Sequence, residues 1–394
     1  MPIFDKNDKY EIPKLRLEDE LLLFCARTNV NPEIRDKILS LIENNLDWDY
    51  LLKLASRHRL MPLLYYNLNS TCPELVPEGI LSELKEYFNA NVRKNLMMTG
   101  ELIKVLNLLE AEGIKAVPYK GPVLASMVHG NIGLREFGDL DVFVPRSDVL
   151  KAKNLLLSEN YNLCLEFEHI TDKFYLKTQR EYALFNNNNG IVTEIHWDFH
   201  GPFFYLPLES DFFCDDLKIV NINDFKVSSF TPENLFIILC IHNAKHDWEN
   251  LGWICDIHEL IQNYKLNWTS IIEKTTKLGT QRIVFINLFL AKHLLGLNIP
   301  EKLLHDLDSD LQVKKMSISI INRLFSKTEH PFNLINKTFF DFKKRENIYY
   351  GFKDCVFGLT TPTYPDFEIL TLPNLLYPLY YVFRPFNLLK RYKI

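Results

Sequence analysis

The sequence predicts an α/β (α+β) chain in which strands and helices alternate through the middle and helices lie on either side. Three observations predict it. Residues 138–144, Gly-Asp-Leu-Asp-Val-Phe-Val, alternate acid and apolar residues with the period of a half-buried strand. Residues 182–185 and 191–199 bracket Asn186-Asn187-Asn188-Asn189-Gly190, and Asn and Gly accept the positive φ that a hairpin turn needs. Helical spacing with cap residues fills both flanks, most plainly at Thr231-Pro232-Glu233, which offers an N-cap, a first-turn proline and an acid at the positive end. The chain is accordingly divided into an N-terminal helical region over 1–98, a core over 99–230, a helical region over 231–330 and a C-terminal extension over 331–394.

In order, residues 17–98 read as helices, with Asp47-Trp48 opening one and Pro62 interrupting a later one. Residues 101–113 read as a helix with Leu102, Val105, Leu106 and Leu109 on its apolar face, closed by Glu112-Gly113. Residues 114–117 follow as a short strand, then Pro118-Tyr119-Lys120-Gly121-Pro122, a short helix over 123–129 and a loop over 131–133. A glycine turn that opens a helix presents free N–H groups and a positive dipole end to an anion. Lys120 and Arg135 add charge suited to phosphate oxygens, although a plain turn glycine and a surface lysine fit the same letters.

Asp139 and Asp141 lie on one face of the acidic strand, about 6 to 7 Å apart, while Leu140, Val142 and Val144 face the core. Like charges so placed repel unless a cation sits between them. Hard oxygen ligands at that spacing suit Mg²⁺ (or Mn²⁺), and Mg²⁺ is the ion that carries nucleotide phosphates. An edge strand with a solvated acidic face is the plainer alternative. Residues 191–199 then place Glu194, His196 and Asp198 on one face and Ile195, Trp197 and Phe199 on the other. A strand with paired acids beside a strand with a third is how two-metal phosphoryl-transfer sites are built.

Lys120-Gly121, Arg135, Gly138-Asp139-Leu140-Asp141 and Glu194-Ile195-His196-Trp197 together resemble the motifs of the nucleotidyltransferase superfamily. More narrowly, they resemble a branch of largely uncharacterised bacterial nucleotidyltransferases, some encoded beside lasso-peptide genes. The resemblance extends to Asp47-Trp48-Asp49-Tyr50 with residues 55–64, and to His242-Asn243-Ala244-Lys245-His246-Asp247-Trp248 with Trp253-Ile254-Cys255-Asp256. It covers roughly residues 17–297. It implies a nucleotidyltransferase-like mixed sheet flanked by helices, and Mg²⁺-dependent attack on a nucleoside triphosphate (NTP). Residue by residue, the resemblance implies Asp139 and Asp141 as the paired metal ligands and Glu194 as the third carboxylate, with Lys120 and Gly121 beside the triphosphate and Arg135 close by. Where the wider superfamily has Gly-Ser, Gly121 is followed by Pro122, and Ser126 lies too far along to replace that serine.

Secondary candidates remain. His242 and His246, four apart, share a helix face and have the spacing to grip one ion. Asn243 stands where a zinc protease of the H-E-x-x-H type needs Glu, and Leu235 and Leu239 on that face favour partly buried structural histidines. Asp256 is placed to orient one of the pair, and His196 stands beside Glu194 with a similar choice of roles. No G-x-S-x-G elbow, P-loop or dinucleotide fingerprint occurs.

Hydrophobic content of 47% and charged content of 24% are those of a globular protein. A net charge of −5 argues against a protein that coats long nucleic acid. Seven cysteines without a C-x-x-C pair read as reduced thiols, and residues 1–9 hold no apolar signal core, so a cytoplasmic location is expected. Residues 369–383, the best candidate for a span, are too short to cross a bilayer and carry Pro373 and Pro378. The aromatic and basic residues that follow suit a membrane surface, a partner protein or packing on the chain's own domain. The expected activity is transfer of a nucleotidyl group from an NTP to a small-molecule, peptide or protein acceptor. Phosphoryl transfer of the kinase type and a catalytically inactive nucleotide-binding scaffold are the alternatives.

Overall fold

The computed structural model describes residues 13–392 except 202–203, 208–209, 215 and 327–332; the N-terminal stretch read for a signal core lies outside the described residues. Four short helices, Leu17–Cys25, Pro32–Ile42, Trp48–Arg57 and Met61–Thr71, begin the chain. Asn31 and Asp47 cap the second and third by accepting from the N–H groups of Ile34 and Tyr50. Pro62 stands in the first turn of the fourth helix, where a missing N–H costs nothing, so it opens that helix rather than interrupting one. Glu78–Ala111 is a single helix of 34 residues, and residues 98 and 99 lie within it. It carries the chain from the N-terminal helices into the sheet.

The sheet has the order β1-β2-β5-β4-β3, from β1 (Val117–Pro118), β2 (Asp139–Phe143), β3 (Tyr161–Leu163), β4 (Glu181–Asn186) and β5 (Val192–His196). It is mixed: β2 and β5 are parallel, and the other neighbours are antiparallel. β1 is shorter than the sequence pattern suggests. Gly113 at φ +68° turns the helix end so that the Ile114 N–H bonds the Leu109 carbonyl instead of joining a ladder. The Asn-Gly connector joins β4 to β5 as expected, with Gly190 at φ +71°. A separate hairpin of β6 (Leu217–Ile222) and β7 (Phe225–Phe230) closes on the sheet's β1 end, where Ser229 Oγ donates to the Pro118 carbonyl at 2.7 Å.

Helices resume at Pro232–Lys245, capped by Thr231, and continue through Leu251–Asn263, Trp268–Leu278, Gln281–Leu295 and Glu301–Ser309 to Leu311–Leu324. The C-terminal extension is helical too: Leu334–Lys343, Ile348–Thr360, Tyr364–Ile369 and Pro378–Arg391. One core runs from the first helices through the sheet to Phe340. A satellite cluster of Phe174, Phe367, Tyr377 and Tyr380 seats the last helix. All seven cysteines are free thiols. Among the described residues no helix is long and apolar enough to cross a membrane.

Candidate active site

Parallel pairing of β2 with β5 sets Asp141 directly opposite Glu194, and antiparallel pairing of β5 with β4 sets His196 opposite Glu181. The alternation that keeps Leu140 and Val142 in the core therefore aims Asp139, Asp141, Glu194 and His196 from one face of the sheet. His196 Nε2 lies 3.0 Å from Asp141 and 3.1 Å from Glu194, and Nδ1 lies 3.4 Å from Glu181. Lys120 Nζ reaches Asp141 Oδ1 at 2.7 Å. Tyr119, beside it, packs its ring against His196, Phe199 and Phe230.

Charge crowding shapes every group here. Burial, then the Asp141 and Glu194 carboxylates, push the Asp139 carboxyl up to about 6. Burial would also raise Asp141, but the Lys120 and His196 cations outweigh it and hold its carboxyl far below the usual range. Burial opposes charge on His196, and its carboxylate neighbours reverse that, carrying its pKa up to about 9. Lys120 is likewise buried and is held above the ordinary lysine value by Asp141. Two cations of the chain thus neutralise its acids.

The donor set suits a divalent cation. Ligand atoms of Asp141, Glu194 and His196 lie within 4.8 Å of one another; Asp139 stands outside that tight group. His196 Nε2 faces an oxygen of each carboxylate, so the three groups converge on one point. Carboxylate oxygens dominate, which favours a hard ion.

The remaining candidates fall in two places. Gly121, at φ +53°, bends the chain after β1 into a four-residue helix that continues as the π-helical turn Ala125–His129. Arg135 turns away from the carboxylates: its guanidinium meets Asp256 at 3.0 and 3.1 Å, and His129 Nε2 joins the same carboxylate at 3.0 Å. Asp256 therefore orients Arg135 and His129, not His242 or His246. Those two histidines pack together, ring centres 4.7 Å apart, against Trp253. Burial, with Lys120 next, holds His242 well below its ordinary value; burial, with Lys245 next, holds His246 down at about 3. Both are uncharged at neutral pH. The three-ligand cluster among the described residues does not include them.

Sequence reasoning missed Glu181 and Lys245. Glu181 starts β4, and Lys245, ending its helix, comes within 3.6 Å of it. Alternation along β4 puts Glu181 and Ala183 on one face; what reveals Glu181 is its pairing with His196.

Acids on adjacent parallel strands of a mixed sheet, facing a lysine from the preceding turn, suit a transferase that handles phosphate. Residues 44–296, nearly two thirds of the chain, match the model of a family described as uncharacterised nucleotidyltransferase. The chain belongs to that family, and so to the nucleotidyltransferases. No curated protein matches it. The match spans the sheet, the acidic cluster and the His242–Trp253 segment, and stops before the C-terminal extension.

Proposed function

We propose that this protein transfers a nucleotidyl group from a nucleoside triphosphate to an acceptor hydroxyl, with Asp139, Asp141 and Glu194 as the carboxylates that hold Mg²⁺ or Mn²⁺. The supporting observation is the crowding of these three acids on β2 and β5, which adds to burial in raising the Asp139 carboxyl to about 6. A bound divalent ion supplies the positive charge that neutralises the phosphates and acidifies the acceptor hydroxyl.

The chain's own groups do the rest. Lys120 is a partly buried ammonium already aimed into the cluster; on nucleotide binding it exchanges Asp141 for phosphate oxygens. Gly121, next to it, leaves backbone space beside the Asp139 carbonyl. His196, between Asp141 and Glu194, offsets the repulsion of the two carboxylates. Arg135, fixed by Asp256, contributes a positive field rather than a direct contact. The acceptor oxygen bonds to the α-phosphorus as the bond to the bridging oxygen breaks. Pyrophosphate leaves, and the acceptor's proton passes to a carboxylate of the cluster. Positioning and electrostatics carry this chemistry.

Asp139→Ala, Asp141→Ala and Glu194→Ala each lower turnover by at least about a hundredfold if the residue stabilises the transferring phosphate. Far-UV circular dichroism checks that each variant is folded. Wild-type turnover in any one removes that residue from the site. α- and γ-labelled ATP distinguish the reactions: α-label on the product supports nucleotidyl transfer, and γ-label makes the protein a kinase. Tight nucleotide binding without transfer of either label returns the scaffold reading.

A further inference from the structure

We propose that the C-terminal extension lays one apolar, basic face on an anionic lipid surface. Fifteen of the 26 large hydrophobic side chains exposed among the described residues fall between Ile335 and Leu389. So uneven a distribution is not the ordinary scatter of exposed apolar groups.

The last helix shows how the face arises. Tyr380, Arg384 and Leu388, spaced by four, point inward, where Tyr380 meets Phe174 and Phe367 and Arg384 pairs with Asp366 at 2.8 Å. The opposite side presents Val382 (58% exposed), Phe383 (40%), Phe386 (64%) and Leu389 (41%). A water-facing helix side is normally polar; this one is apolar like the side it buries. The helix Ile348–Thr360, packed beside it, adds Ile348, Tyr349, Phe352 and Val356, all exposed. These residues lie beyond the family match at 44–296, so the face belongs to what this chain adds to the catalytic region.

Charge selects the occupant. Residues 369–394 contain no acid, and besides the inward-paired Arg384 they hold Lys390, Arg391 and Lys393, in a chain of net charge −5. Lys390 and Arg391 are exposed at the end of the last helix, and Lys353 stands over the rings of Tyr205 and Tyr349. A second copy of residues 369–394, which hold no acid, offers this basic end no opposite charge to pair with. Anionic headgroups complement it, while the aromatic and aliphatic side chains enter the headgroup–acyl boundary. Since no described helix is long and apolar enough to cross a bilayer, the mode is lying on the surface.

Flotation of the full chain with vesicles of phosphatidylcholine containing phosphatidylglycerol, against phosphatidylcholine alone, tests this. The bound fraction on the anionic vesicles is expected to exceed that on neutral ones at least ~5-fold and to fall as salt rises from about 0.05 to about 0.5 M. Phe383→Ser/Phe386→Ser and Lys390→Gln/Arg391→Gln, all at exposed positions, each lower it at least ~5-fold, with the melting temperature and circular dichroism unchanged. Equal recovery with and without vesicles overturns the proposal. So does a dimer by light scattering that Phe383→Ser/Phe386→Ser dissolves, with no vesicle binding: the face is then an interface between copies.

Discussion

Gly121 and His58 show how single residues govern this molecule. A Cβ on Gly121 would stand 3.4 Å from the Asp139 carbonyl oxygen, and its φ of +53° is one that other residues rarely adopt. Gly121→Ala should cost about 1–2 kcal/mol in backbone strain and shift Lys120, its neighbour, out of line with Asp141. A lowered melting temperature together with weaker nucleotide binding is the expected pair of readings; unchanged values of both would show that the bend tolerates a side chain. His58 is fully buried at the end of the Trp48–Arg57 helix. Its Nδ1 accepts from the Leu251 N–H at 3.3 Å, so Nε2 carries the proton and donates to the Leu324 carbonyl at 3.0 Å. Burial holds its pKa down at about 4. The unfolded chain takes up a proton near pH 6.5 that the folded chain refuses until about 4. Stability fully present above pH 6.5 is therefore lost as pH falls through that window, on the order of 3 kcal/mol from this group. Urea titrations between pH 7 and pH 4.5 should show that loss in the wild type and a smaller one in His58→Asn.

At the scale of elements, the long helix Glu78–Ala111 holds the approach to the acidic strand. Asn91 and Asn95, four apart on its buried side, donate to the Gly133 and Arg135 carbonyls, both at 2.9 Å. These bonds tie down the 3₁₀ turn Ile132–Leu134 just before Arg135 and β2. Asn95→Ala takes the side-chain donor from the Ile132 carbonyl and one of two from the Arg135 carbonyl, and should cost about 1–3 kcal/mol. The denaturant midpoint would record it; no change would mean that water or Asn91 takes over the bonds. Two asparagines on a helix look like surface polar residues in the sequence, because their partners lie 37 or more residues away. Strand faces and caps, by contrast, were legible: the β4–β5 turn, the Thr231 cap and the acidic alternation are each set within a few residues.

Across the whole molecule, the acid cluster lies in a sheet wedged between helices from both ends of the chain, so its occupancy should be felt in global stability. An NTP with Mg²⁺ at about a hundred times its dissociation constant adds about 2.7 kcal/mol to the folded state. For a chain this size that is a rise of roughly 3 °C in melting temperature. EDTA should reverse it, and Asp139→Ala/Asp141→Ala should abolish it; a shift that survives both would place the nucleotide elsewhere.

Local pattern was enough to say which residues share a face. Alternation over 139–143 and 192–196 aims the acids together because side chains on a strand repeat every two residues. Which strands became neighbours was decided only by the folded chain, since pairing β2 with β5 joins segments far apart in sequence. The partners of the cations were decided there too. Lys120 and Arg135 both look like phosphate ligands in the sequence, yet one is paired with Asp141 and the other with Asp256. A buried charge takes the nearest opposite charge that packing brings to it, and packing is a property of the whole structure rather than of the neighbouring residues.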